Sequence, residues 1–269
     1  MPVSEEVDRA DAAADGPTLP VNELFASLQG EGRLAGVPST FVRTSGCNLR
    51  CWFCDSYHTS WEPTHARMTV DDVVEAVRSR DPDHVVLTGG EPLIHDASAE
   101  LLDRLGAEYH LTVETNGTVV PPADAPIDLA SVSPKLASST PTPERVPDAA
   151  ADGDLDAPDA ANAEAWTDRH EANRIDVDAL ATLVDRYESQ LKLVVTGRDD
   201  VPEIVDLLAR VRDAASVPVP DEEVLLMPEG RTREELAGTR STVAELAAEY
   251  GFRYTPRIHV DIWNDAPET

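Results

Sequence analysis

Short runs of β-branched and other apolar residues alternate with helically spaced ones along most of the chain, and this rhythm restricts the fold more than any other feature. Candidate strands fall at 39–43, 84–87, 111–114, 128–132, 191–195 and 223–227. Between them lie amphipathic stretches. Thr69 can cap a helix with Asp72 three residues on, ahead of Val73, Val74 and Val77. Asp176 precedes Leu180, Leu183, Val184 and Tyr187, and Ile204, Val205, Leu208 and Val211 keep the same period. The last helix carries Leu246 and Tyr250 and should stop at Gly251, which suits a left-handed C-terminal cap. Repeated βα units imply an α/β fold with a largely parallel sheet.

Two stretches fall outside the rhythm. Residues 1–17 are small and acidic, and residues from about 138 to 173 are rich in Pro, Ala and Asp with little apolar periodicity. We expect a disordered acidic tail over 1–17 and a single domain over 18–269, interrupted by an acidic low-complexity insertion at about 138–173. Trp166 gives part of that insertion a side chain able to dock on the body.

The chain has 51 Asp plus Glu against 22 Lys plus Arg, a formal charge of −29, and only Lys135 and Lys192 are lysines. An acid-rich, lysine-poor surface suits concentrated salt, where charge repulsion is screened within about 3 Å at 1 M. A halophilic source follows, and so does partial unfolding at low salt. The same charge argues against direct nucleic-acid binding, which depends on Lys and Arg at phosphates. No run of apolar residues is long enough to span a membrane, and the acidic N-terminus is unlike a secretory signal. A cytoplasmic protein with a small-molecule substrate is expected.

All three cysteines, Cys47, Cys51 and Cys54, lie within GCNLRCWFCDS. An odd number of thiols in one clip makes no disulfide framework. Thiolates hold iron–sulfur clusters, and three of them leave one iron of a 4Fe–4S cubane open to a chelating cofactor. The alternative is a zinc site completed by His58 or His65, although zinc ligands usually come as two separated clips.

The C-x3-C-x2-C clip after a strand resembles the radical S-adenosylmethionine superfamily, as does Gly89-Gly90-Glu91-Pro92 at the end of the next strand. A narrower similarity, to the 7-carboxy-7-deazaguanine synthases, rests on FASLQGEG at 25–32, Phe41-Val42-Arg43, Cys54-Asp55-Ser56, ETNGT at 114–118, SVSPK at 131–135, LKLVV at 191–195 and Ile258-His259. It covers roughly 18–137 and 174–262. The superfamily's fold is a full or partial TIM-like barrel. With about six strands here, the resemblance implies an incomplete TIM-like (β/α) barrel, its chemistry gathered where strands end.

The implied activity is that of a carbon–nitrogen lyase. It would convert 6-carboxy-5,6,7,8-tetrahydropterin to 7-carboxy-7-deazaguanine with loss of ammonia, for the deazaguanine (queuosine or archaeosine) modification of tRNA. Its cofactors would be a 4Fe–4S cluster, S-adenosylmethionine and Mg²⁺, with a ferredoxin- or flavodoxin-type protein donating one electron. Cys47, Cys51 and Cys54 would hold the cluster. Phe53, Cys54, Asp55, Gly90, Glu91, Ser133, Pro134 and Lys135 would hold S-adenosylmethionine. The substrate would meet Leu28, Gln29, Gly30, Glu31, Arg43, Thr88 and His259, the last placed on a late strand. Ser56 stands where family members carry a threonine that ligates magnesium. No role follows for Lys192. An incomplete barrel would suit a homodimer. The insertion is expected to be dispensable for cluster assembly.

Three other readings compete. A glycyl-radical activating enzyme shares the cluster, but SLQGEG and Asp55-Ser56 disfavour it. A non-catalytic iron–sulfur carrier normally has a fourth cysteine, which this chain lacks. A zinc-binding module is the third.

Overall fold

In the computed structural model, which describes residues 16–145, 160–264 and 266, nine strands form: β1 (Thr18–Leu28), β2 (Pro38–Thr44), β3 (Ala66–Thr69), β4 (His84–Gly89), β5 (His110–Thr115), β6 (Leu129–Val132), β7 (Ser189–Val195), β8 (Val224–Pro228) and β9 (Arg253–Tyr254). They make one sheet in the order β3-β1-β2-β4-β5-β6-β7-β8-β9. From β2 to β9 every neighbouring pair is parallel, whereas β1 is antiparallel to both β2 and β3. The two ends, β3 and β9, do not pair with each other, so the sheet is an incomplete TIM-like barrel.

All six strands expected from the sequence form. Three do not follow from local pattern. β1 contains Pro20, Asn22 and Glu23, and its register shifts between Val21 and Glu23, so pairing with β2 and β3 decides it. β3 is four residues long, and β9 is a two-residue strand set by β8.

The helix signals hold. Thr69 accepts from the Asp72 amide at 3.0 Å, and Asp176 from that of Ala179 at 2.9 Å. Gly251 takes φ 77° after Tyr250. His259, expected on a strand, lies instead in the helix Ile258–Trp263, because β9 ends at Tyr254 and Arg257 opens a helical turn.

Alternation along the strands gives the sheet two different faces. Val42, Val85, Leu87, Leu111, Val113, Ala130, Val132, Leu191, Leu193, Val195, Val224 and Leu226 point outward into one continuous core beneath the helices. The inner face starts apolar, with Phe25 and Phe41 stacked 5.1 Å apart over Val86. Towards the C-terminal ends of the strands it turns polar. The register sets Arg43 opposite Thr88, Glu114 opposite Ser131 and Ser131 opposite Gln190, and these rows continue to Lys192 on β7.

The acidic insertion is only partly the irregular segment its composition suggests. Residues 146–159 lie outside the described residues, as do 1–15 of the acidic tail. Ala160–Asn173, however, is a helix, and Trp166 and His170 on it pack against the cysteine loop. Its apolar period is weak because its contacts are a cation–π stack and hydrogen bonds.

Candidate active site

A cavity of roughly 530 Å³ opens over the polar ends of the strands. Of the residues singled out in the sequence, Leu28, Gln29, Gly30, Glu31, Arg43, Cys47, Cys51, Phe53, Cys54, Asp55, Ser56, Thr88, Gly90, Ser133, Lys135 and His259 line it.

Two expected cofactor contacts do not line it. Pro134 is buried behind Ser133, and Glu91 is fully buried with its carboxylate turned into the protein. That carboxylate accepts from Asn116 N at 2.6 Å, Thr115 Oγ1 at 2.9 Å and Leu93 N at 3.1 Å. Burial raises its pKa to about 7 in spite of these donors. Glu91 therefore braces the strand ends.

The cysteine loop is held from several sides. Glu91 N donates to Gly46 O at 2.9 Å, and Asn48 Oδ1 accepts from Asn116 Nδ2 at 2.8 Å. Gly90 is required here, since a Cβ would fall 2.3 Å from Gly46 O and 2.8 Å from Cys47 Cβ.

The thiols fit a cluster. Leu49 N–H points at Cys47 Sγ at 3.4 Å, and Ser60 Oγ donates to Cys54 Sγ at 3.2 Å, both suited to thiolates. Burial pushes Cys47 up to about 12 and raises Cys51 and Cys54 as well, so three thiolates at this spot call for cationic partners such as iron. Among the described residues no three His, Cys, Asp or Glu side chains converge on one ion. A cubane needs each thiolate on a different iron.

Opposite the thiols stands a network of charges. Lys192 Nζ lies 2.6 Å from Glu31 Oε2 and 3.6 Å from Glu114 Oε1. Arg257 bonds Glu31 Oε1 through Nε at 2.9 Å and Asp55 through Nη2. Burial by itself favours neutral Glu31, but Lys192, Arg257 and His259 outweigh it and hold the carboxyl far below the usual range. Burial likewise opposes charge on Lys192, yet Glu114 and Glu31 raise its pKa, so it stays protonated. Glu114 also accepts from Thr88 Oγ1 at 2.9 Å and Gln29 Nε2 at 3.3 Å.

Arg43 bonds Glu23 Oε2 at 2.7 Å and Ser56 Oγ at 3.0 Å. His259 reaches within 3.9 Å of Glu31, and burial lowers its pKa. It packs so closely on Gly30 that a Cβ there would lie 1.9 Å from its Nδ1.

Four side chains that line the cavity have no role assigned from the sequence: Glu23 and Arg257 fall outside the matched motifs, and Glu114 and Lys192 fall within ETNGT and LKLVV without one. Lysine scarcity is a usable signal for one of them, because Lys135 and Lys192, the chain's only lysines, both face this cavity. Arg257, one of 20 arginines, carries no such mark.

An open parallel barrel whose cysteine loop lies at the C-terminal ends of its strands is the arrangement of the radical S-adenosylmethionine class. Residues 41–132 match the family model described as the Radical SAM superfamily. A 7-carboxy-7-deazaguanine synthase from Halobacterium salinarum is 62% identical over 272 residues, covering 100% of both chains. One from Rhodopirellula baltica is 38% identical, covering 93% of this chain and 88% of its own. The crystal structure of QueE from Escherichia coli superposes with a TM-score of 0.61 at 22% identity, over 90% of this chain and 95% of that one, and shares the fold. The chain belongs to the 7-carboxy-7-deazaguanine synthase family.

Proposed function

We propose that the protein converts 6-carboxy-5,6,7,8-tetrahydropterin to 7-carboxy-7-deazaguanine with loss of ammonia, as a step towards deazaguanine-modified tRNA. The observation that carries this reading is the pairing, across one cavity, of three thiols, one buried and two half-buried, with a row of hydrogen-bonding and charged groups. When bound, the cluster and S-adenosylmethionine supply one-electron, hydrogen-abstracting chemistry. Cys47, Cys51 and Cys54 hold the cluster. Gly90, Ser133, Lys135 and the backbone around Phe53 and Asp55 border the place for S-adenosylmethionine.

The chain's own part is orientation. Gln29, Glu31, Thr88 and Glu114 offer acceptors and donors to the edge of a flat, amide-bearing ring, with Leu28 and Gly30 beside it. Glu31 stays ionised through Lys192 and Arg257, so it remains an acceptor. Arg43 suits the substrate carboxylate through its forked guanidinium. Ser56, whose hydroxyl accepts from Arg43 at 3.0 Å, would offer an oxygen to a magnesium ion, which would help to orient the substrate carboxylate. His259 closes the cavity above Glu31.

We further read the protein as cytoplasmic and supplied with electrons by a small ferredoxin- or flavodoxin-type carrier. A second copy would cover the open edge of the sheet near β9, where Tyr250, Tyr254 and Ile262 are exposed. Among the described residues no helix is long and apolar enough to cross a membrane.

The test is anaerobic reconstitution with iron and sulfide in high salt, then dithionite, S-adenosylmethionine and the carboxypterin, with mass spectrometry of the products. We expect 7-carboxy-7-deazaguanine, abolished in Cys51→Ala. Formation of 5′-deoxyadenosine without the deazapurine would leave the class and remove the substrate. Bound zinc with neither product would overturn the cluster.

A further inference from the structure

We propose that the helix closing the acidic insertion, Ala160–Asn173, is a clamp on the outer side of the cluster loop, with His170 as its positioning residue. The inference rests on the cluster being held by Cys47, Cys51 and Cys54.

His170 is fully buried and sits between two segments that frame the thiols. Its Nδ1 accepts from the backbone N–H of Arg50, the residue just before Cys51, at 3.1 Å. Its Nε2 lies 2.9 Å from Ser139 Oγ, whose own proton goes to Leu136 O at 2.7 Å. These partners fix the ring as the neutral tautomer with hydrogen on Nε2. Burial lowers the pKa of His170 to about 4, in keeping with that neutral form. Ser139 O in turn accepts from the backbone N–H of Trp52, the residue just after Cys51, at 3.1 Å, so one imidazole ties down the loop backbone on both sides of a cluster ligand.

The rest of the helix reinforces the contact. The Arg50 guanidinium stacks 4.1 Å over the Trp166 ring and donates to Cys47 O and Leu49 O, each at 2.8 Å. Trp52 donates through its backbone N to Ser139 O at 3.1 Å and through Nε1 to Ser138 O at 2.7 Å. Thr167 Oγ1 donates to Pro141 O at 2.7 Å. Just past the helix, Arg174 Nη1 donates to Lys135 O at 3.1 Å, so the clamp also reaches the segment proposed to hold S-adenosylmethionine.

A helix that served only to tether an insertion would need no such joint at the cysteines. Hydrogen bonding and solvent access around the sulfurs set both the retention and the potential of a cluster. Loosening the clamp should therefore alter both.

The test uses the full-length chain, reconstituted anaerobically in high salt as wild type, His170→Ala, His170→Gln and Trp166→Ala. Two readouts apply: the rate at which a ferrous chelator strips the iron, and the midpoint potential from a redox titration followed by electron paramagnetic resonance. We expect iron loss from His170→Ala to be about tenfold faster or more, with a displaced potential. His170→Gln, whose amide offers an NH2 to donate and a carbonyl oxygen to accept, should recover much of the wild-type behaviour. Trp166→Ala should speed iron loss less, and it carries the test together with His170→Gln if His170→Ala does not fold. Wild-type rates and potentials in the folded variants would overturn the clamp alone. A wild-type protein that binds no cluster would overturn the reading beneath it.

Discussion

The two halves of the sheet contribute differently to one cavity. The half from β1 to β6 brings the thiols, the glycine turns, Arg43, Lys135 and the carboxylates Glu31, Asp55 and Glu114. The half from β7 to the C-terminal helix brings Lys192, Arg257 and His259. The first half is dense in motifs, and the second has almost none. Neither is tenable alone, because buried carboxylates need partners and buried cations do too. The partners come from far along the chain: Lys192 is 161 residues from Glu31, and Arg257 is 226 from Glu31 and 202 from Asp55. In this fold the contiguous motifs gather along one part of the cavity wall, and long-range pairing keeps its buried charges matched.

The largest break in that comparison should come from Arg257→Gln. It takes from largely buried Glu31 one of its two cations, Lys192 remaining, and from half-exposed Asp55 its guanidinium partner. Removing one partner of a buried pair typically costs about 3–5 kcal/mol, and Lys192 places this loss at the low end of that range. Urea unfolding at constant high salt should show a loss of that order, and product formation should fall with it. Adding Glu31→Gln should return part of the stability, since the double variant no longer buries a carboxylate that has lost one of its two cations. Additive losses in that cycle would mean that the two halves are not coupled through this pair.

A smaller effect tests the opposite end of the sheet, away from the cavity. His84, at the start of β4, is buried between Ser39 Oγ at 2.7 Å and Thr112 Oγ1 at 2.8 Å. Burial, helped by His110, lowers its pKa from 6.5 to about 4. The folded state therefore binds its proton less readily than the unfolded chain. Stability from this group is complete above about pH 6.5 and is lost as the pH falls towards 4, by up to about 3 kcal/mol. Thermal melts between pH 7 and 4 should fall less steeply for His84→Gln than for wild type. Parallel curves would remove His84 as the cause.

The smallest effect is expected at the surface. Arg78 and Glu108 form an ion pair with side chains 45% and 44% exposed, and Arg78→Ala should leave stability and turnover within error in concentrated salt. A clear loss would show that surface pairs in this acidic chain act differently from the buried ones.

How far the site was legible follows the same division. Six of the seven parallel strands could be read because each is a short apolar run bounded by turns. β1 could not, since its Pro20, Asn22 and Glu23 look like loop residues until β2 and β3 pair with it. The cysteine clip, Gln29, Arg43 and Thr88 were legible because their motifs are contiguous. Glu91 belongs to such a motif yet faces the interior, because Thr115, Asn116 and Leu93 offer it donors there. The helix bearing His170 was hidden in composition. It is held by a stack on Arg50 and by hydrogen bonds to Arg50 and Ser139, none of which leaves an apolar stripe.

The sequence by itself determined the βα rhythm, the helix caps at Thr69, Asp176 and Gly251, the three-thiol clip and the acidic surface, since each depends on neighbours within a turn or on composition. Only the tertiary structure decided which carboxylate meets Lys192 and Arg257, that Glu91 turns inward, and that the helix Ala160–Asn173 packs against the cysteine loop. Those outcomes depend on strand register and on contacts between residues tens to hundreds of positions apart, where burial makes each unpaired charge costly enough to select a single partner.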